Sequence, residues 1–129
     1  MIRNTRQMKW CVLVAALAAG FQFACFAAPL SIVEQGASDY RIYASPVAAA
    51  PEVYAAEVLQ DYVARISGCT LPIVREMPEG KKIIYVGFAD VPASVLGDVD
   101  PETFGAEEYV IQQAGDLLLI AGGKPRGTL

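Results

Sequence analysis

The chain has 129 residues, room for one domain, with 54% hydrophobic residues and a formal net charge of −4. It contains no histidine, which excludes imidazole bases, histidine-containing triads and histidine-ligated zinc together. The acidic balance also disfavours nucleic acid as a partner, because phosphate backbones repel such a surface.

Arg3, Arg6 and Lys9 precede an apolar stretch over residues 10–21, and small residues follow around Cys25, Ala27 and Ala28. A positive start, a short apolar middle and a small-residue cleavage site make a secretory signal over residues 1–27, cut after Ala27. Two alternatives stand beside it. A retained anchor meets Gln22, which interrupts a run already short of the roughly 20 residues a span needs. A lipid on Cys25 meets the same Gln22, which stands where a lipobox carries leucine. Cleavage leaves a secreted or periplasmic domain, residues 28–129, without membrane contact. Losing Arg3, Arg6 and Lys9 and no carboxylate takes the net charge from −4 to −7. Cys11 and Cys25 leave with the signal or lie beside its end, so Cys69 is the single thiol and the domain relies on its core rather than a disulfide.

Residues 30–34 form a short extended run, and residues 35–39 a turn. Tyr40, Ile42 and Ala44 then alternate with Arg41 and Tyr43, which predicts a strand with one buried face and an opening hairpin. Ser45-Pro46 breaks it. The sequence "PEVYAAEVLQDYVARIS" predicts a helix over residues 51–67. Proline suits its first position, and Glu52 suits the positive end of its dipole. Ala55, Leu59, Tyr62, Val63 and Ile66 form its apolar stripe, with Glu57, Gln60, Asp61 and Arg65 opposite, and Gly68 ends it. Residues 71–75 read as a brief strand, and "KKIIYVG" as a second. Residues 90–104, with Pro92, Gly97 and Pro101, read as irregular. Tyr109 and Ile111 mark a half-buried strand, Ala114-Gly115-Asp116 a hairpin turn, and residues 117–121 a strand covered on both faces.

Candidate chemistry is sparse. Cys69 lacks a base partner and reads as a small half-buried hydrophobe. Glu57 and Asp61, four apart, share a helix face opposite the apolar stripe, so they read as a solvated surface rather than a glycosidase pair. The side chains of Glu107 and Glu108 point to opposite sides of a strand. Asp98, Asp100 and Glu102 resemble a calcium loop only weakly, without its central glycine and with Pro101 where the loop should curl. "GGKPRG" at residues 122–127 lacks the first glycine and the hydroxyl of a phosphate loop, since Leu118 and Pro125 stand at those places. Gly122 and Gly123 therefore read as a sharp backbone turn, with Pro125 set for a helix about to start. No catalytic, cofactor-binding or metal residue is assigned, and no cofactor is expected.

The stretch "AAEVLQDYVARISGCTLPIV" resembles the signature A-A-E-x-L-x-x-Y-[LIV]-x-x-I-[ST]-G-x-x-L-P-[IV] of the small domain ahead of the catalytic barrel in certain glycoside hydrolases. "KIIYVG" and "GAEEYVIQQAGDLLLIAGGKPRGTL" follow at the expected places. The pattern is similar to the N-terminal domain of family 67 alpha-glucuronidases and to the second domain of bacterial family 20 beta-hexosaminidases. The resemblance implies an α/β fold, a mixed β-sheet with helices packed on one face. It implies a non-catalytic accessory role in polysaccharide breakdown, with a (β/α)8 barrel as partner and the catalytic carboxylates on that barrel. The family continues "RGTL" into a further helix, so residues 28–129 are expected to be such a domain with its final helix truncated. The alternative is a stand-alone carbohydrate-binding or structural interaction module. Sugar binding would need exposed aromatics, for which Tyr43, Tyr54 and Phe88 are the candidates and Tyr40 and Tyr62 are expected to be buried.

Overall fold

Ile83, Ile84, Tyr85 and Val86 are all buried, a run that needs cover on both faces of a sheet. The computed structural model, which describes residues 29–128, supplies both layers. The expected signal over residues 1–27 lies outside the described residues. The strands are β1 (Arg41–Tyr43), β2 (Ile73–Val74), β3 (Ile83–Val86), β4 (Tyr109–Ala114) and β5 (Leu117–Gly122). They form one five-stranded sheet in the order β2-β1-β3-β5-β4. β1 runs parallel to β2 and β3, and β3 to β5, while β4 is antiparallel to β5. The fold is α/β with a mixed sheet.

Helix α1 (Ala50–Ser67) crosses from β1 to β2. Pro51 sits in its first turn, and the Glu52 carboxylate reaches back to accept the Ala49 amide at 2.7 Å. Ala49 has no side-chain oxygen to return the cap, so only half of a capping box forms. At the other end the left-handed Gly68 donates its N–H to Ala64 at 2.8 Å. Gln60 then ties the helix to the chain entering β2 through a 2.6 Å bond to the Leu71 carbonyl.

The buried line of α1 is rotated from the expected stripe. Glu52 and Ala56 are buried, and Leu59 and Val63 pack beside them. Tyr62 and Ile66, expected inside, are 57% and 84% exposed. Ala56 accounts for the rotation, because a methyl side chain lets the helix axis approach the sheet closely. Tyr40, Ile42, Leu71, Ile84, Val86 and Leu118 complete this core.

The other face carries Tyr43, Ile83, Tyr85, Leu119 and Ala121 under Val95 of the short helix α2 (Ala93–Leu96). Tyr43 and Tyr85 lie opposite each other on β1 and β3 and meet edge-to-face, ring centroids 5.7 Å apart. Helices therefore lie on both faces, not on one. The reason is the sequence of β3 and β5, whose consecutive apolar residues point alternately to the two sides.

Other expectations change with it. The opening hairpin does not form; Glu34 and Ala37 make only an isolated bridge. β1 instead takes parallel partners on both edges and is buried on both faces, except at Arg41. Tyr43 is thus interior and Phe88 is half-buried against Phe104. The stretch expected to be irregular holds α2 and a 3-10 turn, Pro101–Thr103, capped by Asp100. On β4 the half-buried positions are Val110, Gln112 and Ala114, while Tyr109 and Ile111 face out. The β4–β5 hairpin turns at Gly115-Asp116 as expected. Residues 124–128 form a turn rather than a helix start.

Leu119 is fully buried and Glu57 exposed. Leu119→Ala should cost about 2–5 kcal/mol, while Glu57→Ala stays within about 0.5 kcal/mol. Urea unfolding midpoints check this; equal shifts would contradict the layer assignment. Burial pushes the phenols of Tyr40 and Tyr85 above the ordinary tyrosine value. Their raised values contribute stability that is present below about pH 10 and is lost as pH rises through the folded values. An absorbance titration should show the Tyr40 and Tyr85 phenols ionising above the ordinary tyrosine value, and Tyr40→Phe and Tyr85→Phe should each remove one late-ionising phenol.

Candidate functional site

In a parallel sheet a crevice opens beyond the strand ends where the chain leaves in opposite directions. Here that point lies after β1, which leads to β2, and after β3, which leads away towards β5. The loops concerned are residues 45–49 and 87–92. Ser45 is 1% exposed. Its Oγ donates to the Asp90 carboxylate and accepts the Val47 amide at 3.1 Å. Arg75 donates to the Ser45 carbonyl at 3.0 Å. Asp90 takes a left-handed φ of 59° to present its carboxylate, a conformation that costs a non-glycine residue some strain. The Glu52 carboxyl fills the space against Gly87 where a Cβ would stand.

Chemically this cluster is closed. The Ser45 hydroxyl is already engaged by Asp90 and Val47, and the chain has no histidine to take its proton as a nucleophile's base. Ser45 is also too buried to meet a substrate. Among the described residues no buried side-chain nitrogen or oxygen lacks a hydrogen-bond partner. The cluster clasps two loops together.

The acidic residues singled out from the sequence are scattered. Asp61 pairs with Arg65 at 2.9 Å on the exposed side of α1, and Glu57 lies on that side too. Asp100 uses Oδ1 on the Glu102 amide at 3.1 Å. Glu108 accepts the Gly105 amide at 2.8 Å through its side chain and the Gly123 amide at 2.9 Å through its carbonyl. Among the described residues no group of three His, Cys, Asp or Glu gathers as a metal site. Cys69 is half-buried beside the α1 core, its amide on the Ser67 hydroxyl. Lys82 donates to Asp39 at 3.2 Å, and that bond and charge hold its ammonium above the ordinary lysine value.

The glycine turn after β5 has a structural use. Gly123 donates to Glu108, Gly127 to Gly123 at 2.7 Å, and Gly122 to the Thr128 hydroxyl at 2.9 Å. A phosphate cradle needs such amides pointing outward to the anion. Here they point inward. A Cβ on Gly123 would collide with the Gly105 carbonyl, and one on Gly127 with the Glu108 carbonyl. The glycines are there so that two backbones can touch.

Of the surface concavities among the described residues, two border the elements discussed above. Arg41, Arg75, Met77 and Pro78 line an open one with Glu76 and Glu79, mixed in charge. The other is apolar, about 460 Å³, along the flank of α1, lined by Tyr54, Ala55, Val58, Leu59, Tyr62 and Thr128. Tyr54 and Tyr62 are 58% and 57% exposed. The sequence reading missed this groove by placing Tyr62 inside; the 52-56-59-63 spacing around Ala56 was the signal. Among the described residues no helix is long and apolar enough to cross a membrane.

Comparison with protein-family models, with curated proteins and with solved structures finds no match.

The inward amides make a direct prediction. Inorganic phosphate at millimolar concentration should leave the thermal midpoint unchanged, since a ligand of the native state would raise it. Gly123→Ala should destabilise by about 1–3 kcal/mol or more, as overpacking does, whereas Lys124→Ala on the exposed turn should stay within about 0.5 kcal/mol. A phosphate-dependent rise abolished by Lys124→Ala would restore the phosphate-loop reading.

Proposed function

We propose that residues 28–129 form a non-catalytic N-terminal accessory domain of a secreted glycoside hydrolase for polysaccharide breakdown, of the alpha-glucuronidase or beta-N-acetylhexosaminidase kind. One observation carries the reading: the stretch resembling the family signature folds as a single unit in which its residues have separate physical roles. Ala56 is fully buried where helix meets sheet, Gly68 ends the helix left-handed, and Leu71 is fully buried. Ile73 then pairs with Ile42 in the sheet. Tyr62 and Ile66 belong to the same stretch but stand exposed, which suits a domain that turns this flank towards the rest of a larger protein. The partner in this reading is the (β/α)8 barrel that carries the chemistry.

Carbohydrate binding is the second reading, favoured by the two exposed tyrosines in one groove. They lie about 12 Å apart along the helix, from eight residues at the helical rise. The groove floor of Ala55, Val58 and Leu59 offers sugar hydroxyls no hydrogen-bonding groups, so an apolar protein surface fits it better.

The purified protein should hydrolyse neither a p-nitrophenyl glucuronide nor a p-nitrophenyl N-acetylglucosaminide. Turnover removed by a point mutation within the chain would overturn the non-catalytic assignment. Titration with xylan and chitin oligosaccharides should show no saturable binding; binding lost in Tyr54→Ala would select the second reading. Reading the coding DNA beyond Leu129 should find a barrel, and its absence there would count against the accessory role.

A further inference from the structure

The outer strand β4 has the sequence YVIQQA, without a charged residue or a proline. Its hydrogen-bonding phase follows from two observed bonds. The Glu108 carbonyl accepts the Gly123 amide, and the Ile120 carbonyl accepts the Gly87 amide, both at 2.9 Å. The first makes Glu108 and Gly123 a hydrogen-bonded pair. The second turns the backbone of Ile120, opposite Ile111, towards β3. Bonded and non-bonded pairs alternate in an antiparallel ladder, so Val110, Gln112 and Ala114 hold β5. The backbone groups of Tyr109, Ile111 and Gln113 point the other way, along the outer edge. Among the described residues no further strand pairs with them.

Sheet edges of this kind are normally guarded by lysine, proline, a bulge or a covering loop, because they template pairing with another chain. Lysine and proline are absent from β4, and its six residues pair with β5 in unbroken register, so no bulge bends it. Tyr109 and Ile111, 68% and 62% exposed, add two large apolar side chains on one face of that edge.

Charge decides between occupants. Glu107 and Glu108 precede the strand and Asp116 follows it, all exposed and, among the described residues, in no ion pair. A second copy added antiparallel would place its twofold axis at Ile111. Glu107 and Glu108 of each chain would then meet Asp116 of the other, like charge against like at both ends. Lys124 and Arg126 lie exposed in the turn after β5, where the Arg126 amide donates to the Ala106 carbonyl at 3.4 Å, and neither side chain pairs with these carboxylates among the described residues. We propose that the open edge of β4 receives an extended segment of another protein, antiparallel, with lysine or arginine at its ends. Between them the segment carries β-branched or aromatic residues at the alternate positions facing Tyr109 and Ile111. Main-chain bonds supply the affinity, and the terminal charges and alternate side chains supply the selectivity.

The test uses the full chain and a short synthetic peptide with lysine pairs at both ends and alternating valine and threonine between. Titration by NMR should show saturable binding that weakens with salt and slows exchange of the Tyr109, Ile111 and Gln113 amides. A peptide with glutamate pairs at its ends should not bind. Ile111→Pro removes one outward donor, at a place where an edge strand tolerates proline. It should weaken binding about tenfold, the weight of one backbone hydrogen bond. Ile111→Thr, which keeps the donor, should retain most of it. Should the proline variant fail to fold, N-methylation of alternate peptide amides tests the same bonds from the other side and should abolish binding. The proposal is overturned if the lysine and glutamate peptides bind alike. It is also overturned if those amides are already protected in the protein alone, or if the protein dimerises through β4.

Discussion

Two adjacent strands, β1 and β3, are buried on both faces, and the rest of the fold answers that constraint. β1 and β2 are parallel neighbours, which no tight turn can join, so the chain crosses over between them through α1, and that helix also covers one face of β1 and β3. Ala56 is fully buried between that cover and the sheet. The opposite face needs a second layer over Tyr43, Tyr85 and Leu119, and α2 with the half-buried Phe88 and Val91 supplies it. The two faces are thus covered by elements of very different length, eighteen residues against four.

The same constraint explains why, among the described residues, the buried polar groups at the strand ends are all engaged in hydrogen bonds. Loops leaving buried parallel strands carry polar backbone that must be satisfied away from water. Side chains do that here: the Ser45 hydroxyl accepts the Val47 amide and donates to Asp90, Glu52 accepts the Ala49 amide, and Arg75 donates to the Ser45 carbonyl. The glycine turn after β5 repeats the solution without side chains, letting its amides bond Glu108 and Thr128 at a separation no Cβ permits.

Elements with strong local signals were legible. The helix over residues 51–67 announced itself through Pro51, Glu52 and Gly68, the apolar run at Ile83 marked a buried strand, and Gly115-Asp116 marked the hairpin. Choices between partners were not. Residues 30–34 could pair with β1 only if its edges were open, and parallel strands from elsewhere in the chain occupy both. Which side of α1 is inside depended on Ala56, a residue whose small size matters only when a sheet lies beneath it. Tyr109 and Ile111 have the alternation of a buried face, but α1 rests on β1, β2 and β3 and stops short of them. The candidate groove was misread for the same reason, since a stripe with Tyr62 and a stripe with Ala56 have equal periodicity.

Coverage that stops halfway along a sheet has a physical consequence beyond packing. On the α1 side, β1 and β3 are sealed, whereas Ile120, Ile111 and Tyr109 continue the apolar surface outward to the edge. Tyr54, Val58 and Tyr62 bound it from the helix. Scattered exposed apolar residues need no explanation, but a run of them bordering an unguarded strand does. The acidic residues do not break up this surface; Glu107, Glu108 and Asp116 stand at the ends of β4 and Asp61 beyond the helix flank. Charge placed at the ends of an apolar strip limits association with like-charged copies while leaving the strip itself available to a partner of the opposite sign.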